Sequence, residues 1–174
     1  MSKTYVLTAL SHDRPGVVEK IAQVIADHSG NWIESAMARL GGEFAGILRV
    51  TVPEESIPGL EKALFDLSSD GITVLWQHDS PQVEPAGRNA KFELTGQDHT
   101  GIVRDITHVL TQHGVSVDRL DTSVFSGSMS GEAMFSAAAD IVLPQDLDLD
   151  DLRDALELIA SDIMVEIELA EVTA

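Results

Sequence analysis

Apolar and polar residues alternate from Thr4 to Leu10, the period of a half-buried β-strand. After the turn S-H-D-R-P-G the period changes. Val17, Val18, Ile21, Val24 and Ile25 recur at helical spacing until Ser29-Gly30, a combination that ends helices. Trp32 to Leu40 and Phe44 to Val52 read as strands joined by Gly41-Gly42, the loop of a hairpin. Pro53 closes the second of them. Leu60, Ala63, Leu64 and Leu67 form another helical stripe, with Ser56 or a neighbour as its cap. Ile72 to Gln77 is a final strand. The order is βαββαβ.

The same order returns downstream. Setting Gly16 on Gly101 aligns Asp13 with Asp98, Val17-Val18 with Ile102-Val103, Ile21 with Ile106 and Val24-Ile25 with Val109-Leu110. A one-residue slip then sets Gly30 on Gly114 and Ile33 on Val117. The second copy predicts strands at Ala90–Leu94, Val115–Phe125, Ala133–Leu143 and Met164–Ala170. Its helices are expected at Ile102–Gln112 and Leu149–Ala160, and its hairpin loop S-G-S-M-S-G-E is longer. A domain is expected over 1–79, a Pro- and Gly-bearing linker over 80–89 and a second domain over 90–174.

A split βαβ pattern with right-handed crossovers implies a four-stranded antiparallel sheet with both helices on one face. The fold class is α+β, two tandem ferredoxin-like units. The other face of each sheet is expected to be uncovered and apolar. Units of this size bury too little to leave such a surface wet, so pairing between units and a homo-oligomer, most simply a dimer, are expected.

Charge narrows the function. The 174 residues hold 29 acids against 11 Lys and Arg, a net charge of −18. Nucleic-acid affinity rests on cations that neutralise phosphate, so direct DNA or RNA binding is not expected, nor is docking on an anionic membrane. A basic protein face is the partner that such acidity fits. The chain has no cysteine, which removes disulfides and thiolate chemistry and agrees with a reducing, cytoplasmic setting. No run approaches a membrane span. The six histidines lack ligand spacing, and D-L-D-L-D-D-L-R-D-A-L-E has Asp151 where a calcium loop needs glycine. No nucleophile, phosphate-loop or dinucleotide motif appears. A non-enzymatic protein without metal or cofactor is expected.

The repeated D-x-x-G turn is the chemistry that remains. A glycine entering a helix lets a ligand approach the backbone, and the first helical turn offers unpaired N–H groups suited to a carboxylate. Asp13 or Asp98 could hold an ammonium, so the turn suits a zwitterion. The alternative is that each Asp only caps its helix.

The D-R-P-G-V-V turn, the βαββαβ order and the duplication together resemble the ACT domain, a regulatory module of amino-acid metabolism. I-E-S-A-M-A-R-L-G-G-E-F in the first hairpin is similar to the glycine cleavage system repressor family. The resemblance implies a sensor of a small amino acid, glycine or serine-like, that acts on a DNA-binding transcription regulator and so represses indirectly. It implies ligand-binding residues Ser11, His12, Asp13, Gly16, Val17, Asn31 and Trp32 in the first copy, and Gln97, Asp98, Gly101, Ile102 and Ser116 in the second. One departure stands out. The family often places Asn one residue before the aliphatic that opens the second strand, where this alignment puts Trp32 and Ser116, with Asn31 displaced by one. The competing reading keeps the fold and drops the ligand, leaving a protein-interaction module of degenerate ACT domains.

Overall fold

The computed structural model describes residues 1–79, 87–128 and 131–172. The chain divides into two compact units, Met1–Gln82 and Val83–Ala174. In the first, β1 (Ser2–His12), α1 (Val17–Asp27), β2 (Asn31–Leu40), β3 (Glu43–Pro53), α2 (Ile57–Asp66) and β4 (Ile72–His78) follow in order. In the second, β5 (Gly87–Gln97), α3 (Ile102–Gln112), β6 (Ser116–Ser126), β7 (Ala133–Pro144), α4 (Leu149–Ile163) and β8 (Val165–Glu171) repeat it. Both sheets are antiparallel, in the orders β2-β3-β1-β4 and β6-β7-β5-β8. The expected α+β fold of two ferredoxin-like units is present.

Strand alternation sets each core. Tyr5, Leu7 and Ala9 of β1 and Leu48, Val50 and Val52 of β3 turn inward onto Ile21, Ile25, Leu60 and Leu64 of the helices. In the second unit Phe92, Leu94, Ile141 and Leu143 meet Ile106, Leu110, Leu152 and Leu156. At roughly 1.5–3 kcal/mol per buried large aliphatic, these two layers carry most of the stabilisation.

The helix end that precedes β2 corrects the repeat alignment. Ser29 has φ +57° and Gly114 has φ +69°, so both occupy the left-handed terminator position. Ser29 N–H donates to Ala26 O at 2.9 Å and Gly30 N–H to Ile25 O at 2.8 Å, matched by Gly114 to Thr111 and Val115 to Leu110, each at 3.0 Å. These are the paired bonds of a Schellman end. Ser29, not Gly30, is therefore the counterpart of Gly114, and the slip read from sequence does not exist. Gly30 serves another purpose: a Cβ there would lie 2.7 Å from Ile25 Cγ2. It follows that Asn31 corresponds to Ser116 and Trp32 to Val117. The strand registers agree, since both pairs of strands shift at the same point, Trp32/Glu34 and Val117/Arg119.

Other local expectations also change. Ser56 sits at the α2 N-cap but its side chain makes no capping bond, because a 3-10 turn over Glu54–Ser56 leads into the helix. Asp148 does cap α4, its Oδ1 accepting the Asp150 N–H at 2.9 Å. The proposed linker is shorter than read. Residues 80–86 of it lie outside the described residues, while Gly87, Arg88 and Asn89 already belong to β5 and pair with Pro144, Leu143 and Val142. Part of the second hairpin loop, residues 129–130, also lies outside them.

The uncovered sheet faces differ between copies. A row across the first sheet reads Ala36, Ile47, Thr8, Leu75. The same row across the second reads Asp121, Ala138, Glu93, Glu168. The apolar open face expected of both units is found in the first and replaced by carboxylates in the second. The charge is uneven to match: the first unit holds 11 acids against 6 Lys and Arg, the second 18 against 5.

Candidate functional site

Each site begins where a sheet strand turns into a helix. Asp13 N–H donates to Gly42 O and Asp98 N–H to Ala133 O, both at 2.9 Å, pinning each turn to the neighbouring hairpin. Gly16 and Gly101 then stand at the helix N-caps with φ +91° and +96°. A side chain is disfavoured at these angles, so both positions need glycine. Among the described residues, no side chain caps either helix. The first helical bonds are Lys20 N–H to Gly16 O and Asp105 N–H to Gly101 O, each 3.0 Å. That leaves the N–H groups of the three residues following each glycine without intrahelical partners.

In the first unit these residues border a depression of about 450 Å³, lined by Asp13, Gly16, Val17, Val18, Glu19 and, from the hairpin, Met37, Arg39 and Phe44. Asp13 does not cap α1. Its Oδ2 accepts from Arg39 Nη1 at 3.1 Å, and the pair is partly exposed. The side chain of Glu19 reaches back over the turn, its Oε2 4.0 Å from where a Gly16 Cβ would sit. Arg14 donates to the carbonyl of Asp70, and Lys20 bonds the Asp70 carboxylate at 2.7 Å. This ammonium holds Asp70 below the usual carboxylate range. The turn is thus tied to the 3-10 segment Leu67–Asp70 that follows α2 as well as to the hairpin.

The second unit keeps the turn but changes its surroundings. Val124 takes the register position of Arg39, opposite Phe135 as Arg39 is opposite Phe44. Among the described residues, the Asp98 carboxylate has no ion pair or side-chain hydrogen bond. Arg104 stands over the glycine, its Nη2 3.2 Å from a Gly101 Cβ position, and pairs with Asp105 at 2.7 Å. His99 Nδ1 lies 3.4 Å from Gln97 O, while its Nε2 is buried without a partner among the described residues. Beside the turn, Ile102, Val103, Ile106 and Leu110 of α3 face Val117, Leu120 and Thr122 of β6 across a wholly apolar cleft of about 20 Å³. A void that small holds about one water at most. Where Val117 and Thr122 leave it, Trp32 and Met37 pack on the core of the first unit.

The structure thus gathers Asp13, Gly16 and Val17 at one depression and Asp98, Gly101 and Ile102 at the second turn. It does not bring in the rest. Ser11 is buried beneath the turn, its hydroxyl donating to His12 O at 3.0 Å. His12 is drawn away to Glu43 at 2.6 Å. Asn31 and Trp32 lie at the far end of β2 from the hairpin, and Trp32 packs on the core. Ser116 pairs with Val142, so it points to the uncovered face, and Gln97 contributes its carbonyl to His99. Arg39, Met37 and Phe44 were not anticipated. Their place at the site depends on hairpin register, which no linear motif records.

Comparison with known proteins agrees with the fold. Residues 3–74 match the family model for the ACT domain. Across 99% of this chain and 100% of its own, an unknown protein from Galdieria sulphuraria is similar in structure, with a TM-score of 0.85 at 27% identity. A candidate glycine cleavage system transcriptional repressor is similar across 100% of this chain and 99% of its own, with a TM-score of 0.73 at 19% identity. No curated protein matches the sequence. The first unit is thus similar to the ACT domain along nearly its whole length and the second repeats the βαββαβ order, so the chain holds two ferredoxin-like units of ACT-type fold.

Proposed function

We propose that this protein is a non-enzymatic regulator that senses a small amino acid and passes the signal to a DNA-binding transcription regulator, repressing indirectly. The observation that carries this reading is the turn built twice: a left-handed glycine, three unpaired amides after it and a carboxylate three residues before it. Amides and helix dipole suit the ligand carboxylate, and the Asp suits its ammonium. The ACT match of the first unit, and the fold shared with the candidate repressor, support it.

The two copies are not equal under this reading. A ligand ammonium in the first unit competes with Arg39 for Asp13, whereas Asp98 has no such rival among the described residues. The second turn is therefore the better receptor. Few charge-assisted bonds act on so small a ligand, each worth about 1.5–3 kcal/mol before immobilisation. A dissociation constant between about a micromolar and a millimolar is expected.

Calorimetric titration with each of the twenty amino acids tests this. Heat of binding for glycine or serine that disappears in Asp98→Asn supports the reading. Silence across all twenty favours the ligand-independent module, to which the Asp13–Arg39 pair lends weight for the first unit. Tight, sequence-selective DNA binding by the protein alone in a mobility-shift assay would contradict the indirect mechanism.

A further inference from the structure

The uncovered face of the first sheet is the most distinctive surface that the site leaves unused. Its middle row is Ala36, Ile47, Thr8 and Leu75, and the next is Ala38, Ala45, Leu10 and Thr73. Leu10, Ile47 and Leu75 are 49%, 55% and 68% exposed. Neither row holds a charge. The row before them carries Glu34 and Arg49, and these pair with each other at 2.5 Å.

We infer that this face is a self-association surface, covered by the same face of a second copy of the chain around a two-fold axis near Thr8 and Ile47. Three observations select that occupant. The face is apolar and free of unpaired charge along its centre, so an identical face is complementary to it. The equivalent face of the second unit presents Glu93, Asp121 and Glu168 instead, and pressing those carboxylates against leucines would desolvate them without partners.

Area is the third. Four strands spaced about 4.8 Å apart, over eight or nine residues, span about 19 by 28 Å. Stacking two such faces covers about 1,100 Å² in total, just past the roughly 1,000 Å² expected of a specific contact. Electrostatics agree, because the paired faces belong to the units of lower net charge.

Light scattering during size exclusion, at about 100 μM protein, reads the outcome. Wild type is expected at twice the 18.7 kDa chain mass. Leu75→Glu and Thr8→Glu copy the second unit's residues at those positions and are expected at the single-chain mass with unchanged far-UV dichroism. The matched control Glu93→Gln, on the other sheet, is expected to leave the mass unchanged. Because the chain has no cysteine, Thr8→Cys with a short bismaleimide provides a second reading that needs no disruptive change. It should yield a covalent dimer, and Glu93→Cys should not. A monomeric wild type, a dimer that survives both glutamates, or cross-linking at Glu93→Cys instead of Thr8→Cys overturns the inference.

Discussion

Replacing Ser29 with glycine tests how the first helix ends. Ser29 holds φ +57°, a left-handed angle that costs an ordinary residue about 1–2 kcal/mol. Glycine removes that strain but gains chain entropy when unfolded, offsetting about 0.4–1 kcal/mol. Ser29→Gly should therefore stabilise the first unit by about 0.5–1 kcal/mol. Gly30→Ala should do the opposite. Its new methyl would lie 2.7 Å from Ile25 Cγ2 and 3.0 Å from Ile25 O, and overpacking of this kind costs about 1–3 kcal/mol. Both tryptophans, Trp32 and Trp76, lie in the first unit, so their emission follows its unfolding alone. For a domain of this size, 1 kcal/mol moves the midpoint by about 4–8 °C. Ser29→Gly should raise it by about 2–8 °C and Gly30→Ala should lower it. The reverse order, with Gly30→Ala neutral and Ser29→Gly destabilising, would restore the slipped alignment and refute the assignment of Ser29 to the terminator.

Three further outcomes are expected. Arg39→Val, which copies the second unit, frees Asp13 and should add a second amino-acid binding event in calorimetry; an unchanged stoichiometry would show that Arg39 is not what holds the first site closed. Lys20→Met removes the ammonium that depresses Asp70, so the Asp70 carboxyl titration followed by NMR should move up toward 3.8. A depressed folded-state pKa stabilises above the unfolded value and is lost as pH falls through the folded one. The wild type should thus outlast the variant above about pH 4, the advantage shrinking as pH falls further and vanishing once Asp70 is protonated in both. Asp148→Ala deletes the only side-chain cap found on the four described helices and should cost about 1 kcal/mol in denaturant titration; no change would mean that the cap is redundant.

Much of the fold was legible because its signals are local. The switch from period two to helical spacing at Val17 and Ile102 placed every strand and helix, and duplication confirmed each reading against its copy. The sites were legible only at their turns. D-x-x-G is contiguous, so Asp13, Gly16, Asp98 and Gly101 could be read directly. Arg39 reaches Asp13 across 26 positions through hairpin register, and nothing nearby in sequence announces it. The error at Gly30 is instructive. Glycine is the usual left-handed residue, but here a serine takes the strain and glycine is kept for close contact with Ile25. That single preference set Trp32 rather than Asn31 against Ser116 in the repeat alignment, one place off the register that the strands show. The open sheet faces misled for a different reason. Alternation predicts which residues face outward, but only pairing shows that Glu93, Asp121 and Glu168 fall in one row.

The central claim is that backbone amides at the start of a helix receive an amino-acid carboxylate. Following the amide resonances of ¹⁵N-labelled protein during addition of glycine, then serine, examines it at the atoms concerned. Saturable shifts at Ile102, Val103 and Arg104, larger than those at Val17, Val18 and Glu19 and abolished in Asp98→Asn, are predicted. Resonances of both turns that stay still while either amino acid is brought to tens of millimolar would contradict the account.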